Sequence, residues 1–316
     1  MKSFNNYIKK LLIDKRLKNN NEQNQLPKQF NINDLPDLVL ENIFQQLSSN
    51  DLIKNGVLVC KKWNRIINDD LFWLNRLVNQ SKIDRNNAIL LGQDSVGLKL
   101  KHIYLTNFFN YNLLKNPCGD EKFKHWYLTK PSRFNLEISD TKVFQKLIKE
   151  YKKNKKRKVR YTWCIEDDHH GTEALYDSNK NVLKNFVTTF FWGSKLQLIE
   201  LNDSTYDSII KKCISKNMNL KLEVCEFYAS RFDSGCIYKL NVYLLNKDFE
   251  IVDYFRFEDI LLQWSNPEWK LAKHEFKIEK PFRYIIFHHA GKDTQCWAGF
   301  YGSKMTNGSV KFILSN

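Results

Sequence analysis

Residues 35–73, LPDLVLENIFQQLSSNDLIKNGVLVCKKWNRIINDDLFW, carry the pattern that decides how the N-terminal part of this chain folds. Leu40, Ile43, Phe44 and Leu47 recur at i, i+3, i+4 and i+7, one face of a helix. Pro36 stands near the first position of that helix, where its missing N–H costs nothing. Ser48, Ser49, Asn50 and Asp51 supply the capping oxygens that stop one helix and start another. The second helix carries Leu52, Val59, Cys60, Trp63 and Ile67, and Trp73 follows a polar break at Asn68-Asp69-Asp70. About forty residues of short helix cannot build an independent core of much stability. The surplus apolar face either docks on a partner or packs on the rest of the chain; pattern alone leaves both open.

At 316 residues, 42% of them hydrophobic and 14% aromatic, the chain has room for about two domains and is not a disordered protein. No apolar run approaches the roughly eighteen residues of a membrane span. The opening MKSFNNYIKKLLIDKRLK has no continuous apolar core of a secretory signal, which points to the cytosol or nucleus. The seven cysteines are odd in number, scattered and without a C-x-x-C pair. They read as reduced, mostly buried thiols, not a disulfide framework or a zinc site.

The net charge of +15 invites a nucleic-acid reading, so its location matters. Residues 1–30 hold a net of +5 and residues 149–160, KEYKKNKKRKVR, a net of +7, leaving +3 for the other 274 residues. The basic excess therefore sits on an Asn-rich arm and a solvated insert, and a nucleic-acid-binding domain would carry it on a folded face. The run KKNKKRK also has the composition of a nuclear import signal.

Leu35-Pro36, Ile43-Phe44-x-x-Leu47, Asp51-Leu52, Val59-Cys60-Lys61-x-Trp63 and Trp73 together resemble the F-box, in order and at its spacing. The resemblance uses about ten positions over forty residues, which makes it specific. It implies a module that docks on the Skp1 adaptor of a cullin-RING ubiquitin ligase while the C-terminal part selects a substrate. The residues it assigns to the adaptor surface and its support are Leu35, Pro36, Leu40, Ile43, Phe44, Leu47, Leu52, Val59, Cys60, Trp63 and Trp73.

Four segments are expected in chain order: a disordered arm over 1–30, the F-box over 31–78, a helical linker over 79–111, and a β-domain over 112–316. A stripe at Leu98, Leu100, Ile103, Tyr104 and Phe108 marks the linker. An insert at about 129–160 holds one helix (Val143, Leu147, Ile148) and the basic run. Beyond Trp163 the period changes to two, as in Tyr238, Leu240, Val242 and Leu244 alternating with Lys239, Asn241 and Tyr243. Further strand-like stretches at Lys195–Leu201, Leu220–Phe227, Phe249–Phe257, His274–Ile278, Phe282–His289 and Val310–Leu314 argue for an antiparallel sandwich. The fold class is thus α + β and multidomain: a small helical F-box, a helical linker, then a jelly-roll-like, galactose-binding-like β-sandwich.

The stretches NPCGDE (116–121), FVTTFFWGSKLQLIEL (186–201), FYASRFDSGCIYKLNVYLL (227–245) and FHHAGKDTQCWAGFYGSKMTNGSVKF (287–312) resemble the F-box-associated domain of the sugar-recognising F-box proteins. In that family two loops read the inner chitobiose of N-glycans with a Phe in a Ser-Phe-x-Trp step and with consecutive Tyr-Trp-Lys before a Gly. A sugar's C–H face packs on an aromatic ring while a neighbouring donor fixes its hydroxyls. Matched here, the first loop is Thr189-Phe190-Phe191-Trp192, with Phe190 in the aromatic position. The second is Cys296-Trp297-Ala298-Gly299, which keeps Trp297 but has Cys296 for the Tyr and Ala298 for the Lys. Losing a charged hydrogen bond costs about 1.5–3 kcal/mol, roughly ten- to a hundred-fold in affinity. The resemblance therefore leaves open a glycoprotein target, for ER-associated degradation, or a protein surface read by the same loops.

Asp167-Asp168-His169-His170 and His288-His289 with Asp293 and Cys296 look like metal or acid–base clusters. Adjacent residues on a strand point to opposite faces and rarely converge on one ion, so both read as structural, with one of His288 and His289 facing in and the other out. No phosphate loop, G-x-S-x-G elbow or H-E-x-x-H motif occurs. The expected function is that of a non-catalytic substrate receptor of an SCF (Skp1–cullin–F-box) ubiquitin ligase, needing no cofactor or metal. A chaperone-like lectin and a basic nucleic-acid factor are the rival classes.

Overall fold

The computed structural model describes residues 31–93, 99–129, 141–153, 162–167, 170–177, 180–182, 184–201, 204–265 and 267–315. The N-terminal arm, Leu98, the basic run over 154–160, Asp168 and His169 lie outside them.

The N-terminal head is built from α1 (Asp37–Gln45), α2 (Ser49–Lys54), α3 (Lys61–Ile67) and α4 (Asp70–Ser81). Ser48 caps α2 by accepting from the Asp51 amide at 3.1 Å. The single second helix expected from the sequence is divided: a 3₁₀ turn over Gly56–Leu58 separates α2 from α3, and Cys60 stands in extended backbone at the N-cap of α3. The break sits at Gly56, where a Cβ would come within 2.8 Å of Ile67 Cδ1, so a larger residue would have to push that side chain aside. Phe44 and Trp63 pack with ring centroids 4.6 Å apart, and Trp73 Nε1 donates to the Ile67 carbonyl at 2.7 Å. Arg76 is almost fully buried and closes this core: it donates to the Leu47 and Gln45 carbonyls and lies over the rings of Phe72, Trp73 and Tyr104. Those carbonyls are at the end of α1, where a helix has acceptors without intrahelical donors.

Two more helices, α5 (Arg85–Gly92) and α6 (Leu100–Leu105), lead out of the head. Phe108 then stacks on Phe312 at 4.3 Å and packs on Tyr206, while Asn112 accepts from the Val310 amide and donates to the Gly308 carbonyl. Most buried apolar residues of head, connector and sandwich consequently form one contiguous cluster.

The sandwich has two five-stranded antiparallel sheets. The first runs β1 (Tyr127–Leu128), β6 (Gly193–Glu200), β11 (Tyr284–Asp293), β8 (Cys236–Leu245), β9 (Ile251–Leu261); the second runs β10 (Lys270–Lys277), β7 (Leu220–Ala229), β12 (Lys304–Leu314), β5 (Asn185–Thr188), β2 (Trp163–Glu166). A separate hairpin pairs β3 (Leu175–Asp177) with β4 (Lys180–Val182). The helix of the insert, α7 (Thr141–Lys152), buries Phe144 and Ile148 against Leu196, Leu198, Tyr243 and Ile286 of the first sheet. A helix absent from the sequence reading, α8 (Ser204–Ser215), bridges β6 to β7 and buries Ile209, Ile210 and Cys213.

Because β5, β7, β9 and β11 each pass to the opposite sheet, four cross-sheet loops gather at one end of the sandwich. Buried ionisable groups lie directly beneath them. Lys195 is fully buried, its Nζ 3.6 Å from the Trp126 ring and 3.3 Å from the Phe186 ring, with no hydrogen-bond acceptor among the described residues. Glu226, also fully buried, accepts from Tyr238 and lies 2.6 Å from His289 Nδ1. Burial pushes the Glu226 carboxyl up to about 8 and the Lys195 amine and His289 imidazole down, each toward its neutral form. The expected in-and-out pair His288-His289 is buried on both sides. His288 faces away from His289, against Ser194 Oγ at 2.7 Å and Asn241 Nδ2 at 3.2 Å, which hold the neutral ring.

Candidate functional site

Two surfaces present apolar side chains that the fold leaves uncovered. The first is on the head. Of the residues assigned to this module from sequence, Leu40, Phe44, Leu47, Leu52, Trp63 and Trp73 are buried and hold its helices together. Leu35, Ile43 and Cys60 are half-buried, the Cys60 thiol facing Asn33 Oδ1 at 3.7 Å, and Pro36 and Val59 are exposed. Beside them the structure adds Leu38 (68% exposed), Val39 and Leu58 (79% exposed), with Leu71 further along the chain. None of these stood out in sequence, because an apolar residue off the core stripe of a short helix looks like ordinary surface. Lys62 anchors the entrance to α1 by donating to the Asn33 and Leu35 carbonyls, at 3.1 and 2.7 Å.

The second surface is the loop end of the sandwich. Backbone bonds stitch its loops together: Asp293 N to Thr189 O, Gly302 N to Thr188 O, Thr294 N to Gly235 O, and Trp264 N to Phe232 O. Ser234 Oγ adds a bond to the Tyr301 carbonyl at 2.8 Å, and Gly235 N one to Gln295 Oε1 at 2.7 Å. Loops tied in this way present side chains from a fixed frame.

In the β5–β6 loop, Phe190 is half-buried and its ring lies 4.1 Å from that of Phe191, which is 55% exposed and forms the outer face of the pair. Trp192 is half-buried, with the ammonium groups of Lys239 and Lys292 5.1 and 5.8 Å from its ring. In the β11–β12 loop, the buried Asp293 carboxylate accepts from the amides of Cys296 (2.6 Å) and Trp297 (3.2 Å). This holds Cys296 in left-handed backbone (φ 58°) and turns Trp297 outward, 38% exposed, its ring edge-on to Tyr301 at 5.5 Å. Cys296 and Ala298 are both exposed. The arrangement offers two aromatic faces, Phe191 and Trp297, with no charged donor at position 298.

All seven cysteines are free. Two, Cys213 and Cys236, are buried, fewer than the composition led one to expect, because the others sit on half-covered faces and Cys296 is at a loop tip. Among the described residues no three His, Cys, Asp or Glu side chains converge to hold a metal ion, and no helix is long and apolar enough to cross a membrane.

A helical head with an exposed aliphatic face is continuous through its core with a sandwich whose loop end exposes aromatic side chains. The family model for the F-box associated region matches residues 104–312, and the F-box-like model matches residues 32–78. The chain belongs to the F-box-associated family. It is 27% identical over 284 residues to F-box only protein 6 of Rattus norvegicus, covering 89% of this chain and 86% of that one. It is likewise 27% identical over 282 residues to F-box only protein 44 of Homo sapiens (89% and 96% covered), and 24% identical over 284 residues to F-box only protein 2 of Bos taurus (88% and 83% covered). An F-box followed by an F-box-associated domain is the architecture of a substrate-recognition subunit of an SCF ubiquitin ligase.

Proposed function

We propose that the exposed aliphatic face of the head, centred on Leu38 and Leu58, docks on Skp1, and that the loop end of the sandwich holds the target protein. This chain then performs no chemistry itself; it raises the effective concentration of target lysines at the ubiquitin-loaded enzyme. The observation that carries the reading is the pairing of two uncovered apolar surfaces across one continuous core, which can hold adaptor and target at a fixed separation.

The ligand class best supported at the loop end is the chitobiose of an N-glycan on a misfolded glycoprotein reached from the cytosol. Phe191 and Trp297 provide ring faces for sugar C–H groups, with Lys292 at the end of β11 and Gln295 on the β11–β12 loop as donors. The test is binding of the full chain to immobilised chitobiose beside the Trp297→Ala variant. Binding that falls at least about tenfold in the variant, the loss of roughly 1.4 kcal/mol, supports the sugar reading. Absence of binding by well-folded wild-type protein leaves a receptor for protein surfaces.

A further inference from the structure

The aromatic pair at Phe191 and Trp297 does not exhaust the loop end. Phe232, in the β7–β8 loop, is half exposed, and Trp264, in the β9–β10 loop, is 69% exposed; their rings lie 6.1 Å apart. Leu262, more than two-thirds exposed, stands on the same loop. Trp264 adopts left-handed backbone (φ 61°), which a bulky residue enters at a cost. Its amide donates to the Phe232 carbonyl at 2.9 Å, and Ser265 Oγ donates to the Leu262 carbonyl at 2.6 Å, so the strained turn is held. The result is a large indole turned toward solvent where burial would have been the stable choice.

This station is continuous with the first. Arg231, next to Phe232, places its guanidinium 5.2 Å from the Tyr301 ring, which in turn packs on Trp297. Its surroundings differ in chemistry. Arg231 is itself neutralised by Glu166. Asp233, Glu173 and Glu268 are carried on the neighbouring loop segments, and none of the three is in an ion pair among the described residues. The Glu173 amide donates to the Pro267 carbonyl and its own carbonyl accepts from Trp269 Nε1, which fixes that segment beside the β9–β10 loop.

We infer that Phe232, Leu262 and Trp264 form a second station on the target-binding end, which takes an extended, unglycosylated polypeptide segment with apolar side chains flanked by Lys or Arg. The exposed leucine and the two rings match apolar side chains, and the unpaired carboxylates match basic flanks; a neutral sugar would leave Leu262 without a partner. The inference rests on the loop end being the target-binding end, and it makes recognition bipartite, with a sugar at one station and exposed chain at the other. A folded glycoprotein, whose apolar segments are buried, would engage only the first.

The probe is a fluorescein-labelled, unglycosylated peptide in which Leu and Phe alternate with Lys, measured by anisotropy against the full-length protein. A control peptide carries Ser for every Leu and Phe at the same charge. The apolar peptide is expected to bind at least about tenfold more tightly than the Ser control. Its affinity should fall at least about tenfold in Phe232→Ser/Trp264→Ser and, as a smaller change at an exposed site, several-fold in Leu262→Asn. Trp297→Ala should bind the peptide within about twofold of wild type, and the Phe232→Ser/Trp264→Ser protein should bind chitobiose as wild type does. Equal binding of the two peptides, or an unchanged peptide affinity in both variants, overturns the inference. So does a loss of chitobiose binding in the double variant with peptide binding intact, which would make the station part of the sugar site. A wild-type protein that binds peptide but no chitobiose retires the sugar reading while leaving this one standing.

Discussion

The head and the loop end of the sandwich both expose apolar side chains, but they support them differently. In the head the exposed residues are aliphatic, stand on short helices, and rest on a core that is hydrocarbon apart from one arginine whose guanidinium closes helix carbonyls. At the loop end the exposed residues are mostly aromatic, stand on irregular backbone, and rest on a layer containing Lys195, Glu226 and His289, all buried. Aliphatic side chains on a helical scaffold suit a partner that is always the same, since shape alone fixes the fit. Aromatic rings on stitched loops suit ligands that vary, because a ring face accepts many apolar surfaces while the hydrogen bonds between the loops hold them in place.

That contrast can be broken at its strongest point in the head. Trp73 is fully buried, bonds the Ile67 carbonyl and packs on Phe72 and Tyr104, each at 5.3 Å. Trp73→Ala is expected to cost about 3–5 kcal/mol and to unfold the head first, read as loss of α-helical ellipticity ahead of the sandwich transition. If the head and sandwich melt together with an unchanged midpoint, the hydrocarbon core is not what supports the exposed aliphatic face.

In the sandwich the sign reverses. Lys195 Nζ is caged by Trp126 and Phe186 without an acceptor among the described residues, and burial lowers the pKa of its amine. Lys195→Met keeps the chain length and removes the buried amine, so urea denaturation should show a gain of about 1–3 kcal/mol. A loss of stability would mean that the ammonium and its rings form a net favourable contact.

The smallest expected effect is on pH dependence. Burial, with help from His289 and Lys195, pushes His288 down from its ordinary 6.5 to about 3. Below pH 6.5 the unfolded chain therefore binds a proton there that the native protein does not, and stability falls as pH falls, by about 1.4 kcal/mol per pH unit at most. Glu226 acts in the opposite sense between 4.5 and about 8, where only the native state keeps its proton. His288→Asn removes one histidine from this balance, and its urea midpoints between pH 6.5 and 5 should decline less steeply than those of the wild type. Parallel slopes would show that His288 is not held neutral in the fold.

Much of this was legible in the sequence, and the exceptions have physical causes. The helical stripe at Leu40, Ile43, Phe44 and Leu47, the Ser48 cap and the alternating β8 strand are local signals, and each appears in place. The division between α2 and α3 was not legible, because the close approach of Gly56 to Ile67 is a contact made only in three dimensions. Strand β6 shows the limit most clearly. Its pattern, Lys195-Leu196-Gln197-Leu198, reads as leucines inward and polar residues outward. The fold does the reverse: Leu196 and Leu198 lie under α7, while Lys195 sits among Trp126 and Phe186, and Gln197 bonds the Lys115 backbone at 2.8 and 2.9 Å. The added helical layer supplies the second apolar face, and no single strand encodes it. At the candidate site the motif located the loops, but the choice between Phe190 and Phe191 as the presented ring, and the exposure of Leu38, Leu58 and Trp264, depend on packing that sequence does not show.

The most direct test of the account is a calorimetric titration of Skp1 into the full-length protein and into its Leu38→Asp/Leu58→Asp variant. Both side chains are exposed, so the variant should melt with the wild type while its affinity falls at least about a hundredfold, roughly 2.7 kcal/mol. Trp297→Ala and Phe232→Ser/Trp264→Ser should bind Skp1 as the wild type does, since they touch only the other surface. Unchanged Skp1 affinity in the Leu38→Asp/Leu58→Asp protein would contradict the assignment of the head's aliphatic face to the adaptor, and with it the division of labour between the two ends.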